Sequence, residues 1–269
     1  MADDDSTRDW QAMTATEVAA FVERDPVIVL PLAATEQHGP HLPLSTDADI
    51  GRGLLSRALS RLPADFPVGV LPELRLGAST EHVHAGMAGT LDLDSEQLAA
   101  VVARIGTALA DCGVRRLVLS NSHGGNRHAM ETAGLRLRRE RSLLVVKATY
   151  FNFDRPAGVA LPDAEWRHGL HGGAVETAMM LHLHPRRVRT RQIRRFVSLG
   201  EDLERSGSRI LPEGPAAFAW LAGDLNPSGA VGDATLATAA VGRALVEHYG
   251  DALADVIRDA RTFPLDRLV

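Results

Sequence analysis

The stretch VIVLPLAATEQHGPHLPLSTDADIG, Val27 to Gly51, decides how the rest of the chain is read. Its opening VIVLPL is apolar without alternation, the pattern of a strand buried on both faces of a parallel sheet. Polar residues follow at once: Glu36, His38, His41, Asp47 and Asp49. A core strand that ends in acids and imidazoles has two readings, a solvated loop that happens to be polar or one half of a metal site. Residues two apart in extended chain point to the same side, so Glu36 and His38 can face one pocket. Asp47 lies nine residues beyond His38, at the expected start of a helix, on a loop that Pro40 and Pro43 stiffen and could fold back. Mixed carboxylate and imidazole donors suit zinc, manganese or ferrous iron. Taken alone, the pattern leaves both readings open.

Outward from this stretch, strand and helix signals alternate, as in a parallel sheet covered by helices. A helix is expected over Thr14–Arg24, where Thr14 and Glu17 have capping-box spacing. A strand near VGVLP (Val68–Pro72) follows the helix that begins at Asp47 or Asp49. DSEQLAAVVARIGTALADCG is the clearest helix: Asp94 caps it, Gln97 completes the box and Gly113 supplies the left-handed stop. RRLVLSN and LLVVKATYF (Leu143–Phe151) read as further strands. The helix AVETAMMLHLH follows a charged and aromatic loop, and a long helical pattern from Asp233 to Arg261, with a break expected near Gly250, closes the chain. No repeat, linker or composition shift divides the 269 residues, so one domain over 1–269 is expected, with a three-layer α/β/α architecture around a mostly parallel sheet.

The formal net charge of −5 offers no electrostatic footprint for nucleic acid. The basic runs LRLRRERS (Leu135–Ser142) and PRRVRTRQIRR (Pro185–Arg195) read as solvated faces, or else as a subunit contact or anion site. A single cysteine, Cys112, forbids an internal disulfide and a cysteine zinc cage; its apolar helical context predicts a small core residue. The acidic start MADDDSTRDW lacks the features of a signal peptide, and no apolar run approaches the roughly 20 residues of a membrane span, so the cytoplasm is the expected compartment, with no membrane partner.

Sites in such sheets form where loops gather at the carboxyl ends of the strands. NSHGGN (Asn121–Asn126) takes a strand directly into His123 and the pair Gly124 and Gly125 before a helix. Paired glycines permit close backbone approach, but without G-x-G-x-x-G or a following Lys this is not a phosphate loop. HGLHGGAVETAMM (His168–Met180) carries His171 before another glycine pair and Glu176 in the first turns of a helix, where the helix dipole alone could explain a carboxylate. His182 and His184 further along read as partly exposed packing residues. STEHVHAG (Ser79–Gly86) brings Glu81, His82 and His84 to the rim of the pocket, with no ligand assigned from it.

TEQHGPHLPLSTD, NSHGGN and HGGAVET in this order, with the ending GDLNPSGAVGDATLATAAVGRAL, closely resemble the creatininase family of metal-dependent amidohydrolases. The resemblance implies two divalent metal ions per chain, zinc first, with manganese or iron as alternatives. Glu36 and His123 would hold one ion and His38 the other, with Asp47 bridging. Creatininase has a glutamate two residues after the histidine matching His123; here that position is Gly125, which points to an HGGN branch in which Glu176 is the fifth ligand candidate. His171 matches the family's catalytic histidine, preceded here by Leu170 where creatininase has a glutamate. Trp166, Gly124 and Gly125 are expected to line the substrate pocket. The resemblance further implies attack of a metal-bridging hydroxide on the C–N bond of a small cyclic or linear amide, with His171 delivering a proton to the leaving nitrogen. A formamide deformylase or mycofactocin-precursor-type peptidase using the same site is the near alternative; a metal- or ligand-binding protein without turnover is the distant one. Family members are commonly homo-oligomers, often hexamers.

Overall fold

The computed structural model describes residues 8–83 and 87–268. In chain order its elements are α1 (Ala15–Val22), β1 (Val27–Leu32), α2 (Thr46–Ser60), β2 (Val68–Val70), α3 (Ser95–Asp111), β3 (Arg116–Asn121), α4 (Arg127–Arg141) and β4 (Leu144–Thr149). There follow α5 (Asp163–His168), α6 (Ala174–Leu183), β5 (Arg195–Phe196), α7 (Leu199–Arg205), α8 (Ala222–Leu225), β6 (Gly232–Asp233) and α9 (Ala239–Thr262).

All six residues of β1 are buried, as an unalternating apolar run requires. Its side chains divide by parity. Ile28, Leu30 and Leu32 pack with Leu98, Val102, Met130 and Leu137 of α3 and α4, and Phe21 and Val22 of α1 cover the same layer. Val27 and Val29 turn to the other face, against Leu55 and Leu59 of α2 and Leu253 and Ile257 of α9. The result is an α/β fold with helices on both faces of a parallel sheet ordered β2-β1-β3-β4. The two-stranded pair β5-β6 is antiparallel and separate. Pro31 is tolerated in this central strand because its missing N–H faces the side where β2 has already ended; only its carbonyl is used there, accepting from Leu74 at 3.0 Å. From β1 the chain crosses to β2 on one side and then returns to β3 on the other. The carboxyl ends of β1 and β3 therefore open the crevice at which such sheets bind ligands.

Both expected capping boxes form, at Thr14 with Glu17 and at Asp94 with Gln97, and Gly113 takes φ +94°. Three expectations need correction. Cys112 is exposed, because it caps the solvent side of the end of α3 instead of facing the core. The closing helix starts at Ala239, since Gly232 and Asp233 are drawn into β6, and it runs unbroken through Gly250. Gly250 serves helix packing: a Cβ there would meet Arg57 Cγ of α2. Gly242 is tighter still, with space for a Cβ only 1.8 Å from the Ala178 carbonyl oxygen of α6. Finally, the strand at Leu143–Phe151 stops at Thr149 and turns into a 3-10 segment at Tyr150–Asn152, which swings the aromatic residues over the crevice. The basic runs are paired surfaces: Arg136 and Arg139 meet Glu140, and Arg187 meets the buried Asp49 at 2.6 Å. No helix among the described residues is long and apolar enough to cross a membrane.

At the opposite end of the sheet, Asp25 sits in the left-handed region at φ +53° and receives both Arg115 and the buried Arg116. Arg116 also donates from Nε to the Ala260 carbonyl at 2.9 Å, so the cluster ties β1, β3 and the end of α9 together. Burial opposes ionisation of Asp25, but the hydrogen bond from Arg115 and the charge of Arg116 outweigh it and hold the carboxyl below its ordinary value. A depressed carboxylate stabilises the fold above its unfolded pKa and loses that contribution as pH falls through the folded value. Asp25→Asn is expected to destabilise the protein at pH 7 by on the order of 2–3 kcal/mol, since it leaves Arg116 buried without its anion. In urea unfolding series the difference from the unmodified protein should shrink once pH drops below about 4; a pH-independent difference would refute the ion-pair origin.

Candidate metal centre

Glu36 leaves β1 four residues after its end, and its N–H donates to the Leu44 carbonyl at 3.1 Å, so the loop doubles back. That return places Asp47, in the first turn of α2, with Oδ1 3.1 Å from His38 Nε2. The folding back expected of the proline-stiffened loop is what the structure has. Asp49, two residues further on the helix, faces the other way and binds Ser45, Arg52 and Arg187. His41 is buried elsewhere, its Nε2 2.9 Å from Thr177 Oγ1 and its ring stacked on Phe196. Of the five polar residues in the opening stretch, three converge and two do not.

His123 arrives from the end of β3. Its Nε2–H donates to the Ala78 carbonyl at 2.8 Å, which leaves Nδ1 3.2 Å from both Glu36 Oε1 and Asp47 Oδ2. His38 donates from Nδ1 to the Glu36 carbonyl at 3.1 Å and turns Nε2 inward. His171 donates from Nε2 to the Gln37 carbonyl at 2.6 Å and turns Nδ1 inward, 3.6 Å from Glu36 Oε1. Each imidazole thus has its tautomer set by a backbone carbonyl, the usual way a protein aims a ring lone pair at a metal. Both oxygens of Glu36 and Oδ2 of Asp47 are buried with no hydrogen-bond partner among the described residues. Glu176 comes from the first turn of α6. Its Oε2 accepts the Gly172 N–H at 2.6 Å, where Gly172 takes φ +66°, and lies 3.9 Å from His38 Nε2.

Among the described residues, three overlapping groups have ligand atoms close enough to share an ion: Glu36–Asp47–His123, His38–Asp47–Glu176 and Glu36–His38–His171. The first two have Asp47 in common. Buried anionic oxygens without hydrogen bonds, facing imidazole lone pairs, fit divalent cations of the zinc and manganese kind.

The electrostatics agree. Burial opposes ionisation of Glu36, yet His123 and His82 outweigh it and hold the carboxyl below its ordinary range. For Asp47 the same burial is outweighed by His38 and His123, and its carboxyl is held well down. Burial disfavours a cationic His38, but Asp47, Glu176 and Glu36 overcome this and raise it to about 10. His123 is likewise raised, by Glu36 and Asp47 against burial. His171 is stacked between His38 (ring centroids 4.1 Å) and His82 (4.2 Å), and burial followed by the charge of His38 pushes it well below its usual value. Burial raises Glu176 to about 7, with His38 opposing. The centre demands positive charge at Glu36 and Asp47.

A cavity of about 600 Å³ opens over these groups. Trp166, Gly124 and Gly125 line it, and Tyr150, Phe151 and Trp220 add an aromatic wall. Arg155 lies 5.2 Å over the Trp166 ring. Gly125 is dictated by space: a Cβ there would sit 2.0 Å from the Ala78 carbonyl oxygen that receives His123.

Asn126 and Glu165 carry supporting roles that the sequence did not single out, beside His82, which was expected at the rim of the pocket. Asn126, fully buried, accepts the Ala78 N–H and donates to Asn121, so the last residue of NSHGGN ties the ends of β1 and β3 to the 78–82 segment. His82 of that segment approaches Glu36 Oε1 to 3.5 Å, whereas His84 lies outside the described residues. The available signal was position, because the segment follows β2 as the other site loops follow β1 and β3. Glu165 is buried in a cradle of Gly169, Gly173 and Gly232, each of which would place a Cβ within 2.8 Å of its Oε1. It accepts the N–H groups of Ala174 and Asp233 at 2.6 Å each and so anchors the start of α6 to β6. His182 is exposed and His184 half-buried beside Asp49; neither joins the centre.

With this geometry, similarity to characterised proteins becomes informative. The chain is 35% identical over 232 residues to the mycofactocin precursor peptide peptidase of Mycobacterium tuberculosis, covering 81% of this chain and 79% of that one. It is 33% identical over 179 residues to the creatinine amidohydrolase of Pseudomonas putida, covering 60% and 65%. A solved manganese creatininase superposes with a TM-score of 0.71 at 26% identity, over 96% of this chain and 99% of that one. These relatives are hydrolases, and solved creatininases carrying zinc or manganese agree with divalent-metal donors here. The family model for creatininase, described as creatinine amidohydrolase, matches residues 11–257, and the chain belongs to this family of amidohydrolases.

Proposed function

We propose that the whole 269-residue chain acts as one binuclear metal-dependent hydrolase domain that cleaves the C–N bond of an amide. The carrying observation is the donor set: Glu36 and Asp47 present unpartnered oxygens to three imidazoles that are each locked with a lone pair inward. Glu36 and His123 would hold one ion and His38 and Glu176 the other, with Asp47 shared between the two groups. Glu176 takes the fifth place because no side chain fits at Gly125. Divalent ions bound there supply an activated water and a Lewis acid for the amide carbonyl. His171 lies beside Glu36 with Nδ1 free, so it can take the proton of the attacking water and pass it to the leaving nitrogen. The aromatic wall excludes water and positions the acyl and amine halves.

The cavity favours a peptide-sized amide over a single small ring. Its volume of about 600 Å³ lies in the range of sites that enclose drug-sized ligands. The similarity to a peptidase across four fifths of both chains supports the same reading. Creatinine is therefore expected to be a poor substrate. A panel of creatinine, formanilide and short peptides tests this, with turnover followed by mass spectrometry in zinc- and manganese-loaded protein. Fast creatinine turnover would overturn the substrate reading. No turnover of any amide by metal-loaded protein would overturn the hydrolase itself.

The metal assignment has its own check. About two ions per chain are expected by elemental analysis, since five candidate ligands exceed what one tetrahedral ion needs. Asp47→Ala should lose both, while Glu36→Ala keeps the ion at His38; full occupancy in Asp47→Ala would remove the bridging role.

His171 is the sharpest division of roles, because Glu36–His38–His171 is itself a possible ligand group. His171→Ala should lower kcat by about 10²–10⁴-fold, the usual contribution of a general acid–base group, and leave metal content unchanged. Loss of an ion from that variant would make His171 a ligand.

A further inference from the structure

Among the described residues four imidazoles surround Glu36, and one of them is turned the other way. His38, His123 and His171 each give their hydrogen to a backbone carbonyl and face the centre with a lone pair. His82 instead meets the side-chain amide of Gln37, whose Nε2 lies 2.9 Å from His82 Nδ1. That amide cannot be reversed. Its Oε1 accepts the Gly39 N–H at 3.0 Å and its Nε2 donates to the Gly229 carbonyl at 3.0 Å, and neither backbone group can exchange roles. His82 Nδ1 must therefore accept, which puts the imidazole hydrogen on Nε2. This Nε2 faces the centre, 3.5 Å from Glu36 Oε1 and 3.9 Å from Glu81 Oε1, with no hydrogen bond to either. His82 also lines the substrate cavity beside Glu36, Asp47, His123 and His171.

We propose that His82 is a catalytic residue, its Nε2–H the hydrogen-bond donor that receives the oxygen of the scissile amide carbonyl as that oxygen gains negative charge. A nitrogen that carries hydrogen cannot ligate a metal, and His82 belongs to none of the three ligand groups. A fixed, buried donor aimed where charge develops lowers the barrier without reorganising during the reaction. Gln37 is the positioning residue: set between the ligands Glu36 and His38, it holds the His82 tautomer through the far side of the ring. His82 donates a hydrogen bond and transfers no proton, so the proton path through His171 is unchanged.

The inference rests on the hydrolase reading, and its test separates the two. In zinc-loaded protein, long-range ¹H–¹⁵N spectra of the histidine rings report the tautomer without any substrate. The expected result is hydrogen on His82 Nε2; hydrogen on Nδ1 overturns the proposal. The second arm uses whichever member of the amide panel the unmodified enzyme turns over. His82→Phe should lower kcat by about 10²–10³-fold, the cost of removing one oxyanion donor, with zinc content and KM nearly unchanged. His82→Gln, which places an amide N–H near the same point, should recover at least about tenfold of that loss. Unchanged kcat in His82→Phe, or loss of zinc from it, overturns the donor role while leaving the hydrolase reading standing. A zinc-loaded, folded but inactive unmodified enzyme would instead bring down the hydrolase reading.

Discussion

Two carboxylates buried side by side govern this protein. Glu36 and Asp47 are almost inaccessible to solvent, and three of their four oxygens lack a hydrogen bond among the described residues. Isolated anions in such surroundings would cost several kcal/mol each, and among the described residues no arginine or lysine pairs with either. The chain surrounds them with imidazoles, and the charge of the two carboxylates holds His38 and His123 toward their cationic forms against burial. Every nearby element is arranged to hold that ring of donors: the returning loop that delivers Asp47, the Ala78 carbonyl that turns His123, and the Gln37 carbonyl that turns His171. The topology makes the arrangement possible, since the reversal between β1 and β3 leaves an open crevice at their carboxyl ends.

Much of this was legible in the sequence, for identifiable reasons. A six-residue apolar run rich in β-branched residues and followed by polar loop residues reads as a strand covered on both faces, so VIVLPL pointed to the central strand and with it the layered fold. Caps are local, and both capping boxes formed where the spacing put them. The convergence of Glu36, His38, Asp47, His123, His171 and Glu176 was legible only because strand-end loops gather in such a sheet and the three motifs resemble one family. What stayed hidden depends on three-dimensional packing. Gly250 looked like a helix break because a helical glycine usually weakens a helix; the side chain of Arg57, across the α2–α9 interface, is what requires it. Cys112 looked apolar by its neighbours, yet one residue past the end of α3 the helical periodicity no longer applies.

The difference between this chain and creatininase has a steric side. The glutamate expected from creatininase two residues past His123 has no room here, because the Ala78 carbonyl occupies the place its Cβ would take. The same carbonyl fixes the tautomer of His123. Gly125 and the His123 orientation are therefore one choice, and Glu176 on α6 lies where a carboxylate can reach His38 from the other side.

The Glu165 cradle bears on how such a protein can diversify. Gly169 and Gly173 lie four residues apart in one loop and Gly232 comes from far along the chain, and each closes against the same carboxylate. Since Glu165 in turn pins the start of α6 to β6, a side chain at any one of them displaces the anchor on which Glu176 depends. This wall of the cavity is closed to stepwise change: no single substitution there can test a new substrate without first loosening the centre. Novelty can enter more readily where Phe151, Asn152 and Arg155 meet the cavity on turns that carry no part of the donor ring. Lineages sharing this centre should therefore differ in specificity along residues 151–155 while keeping the three glycines as a unit.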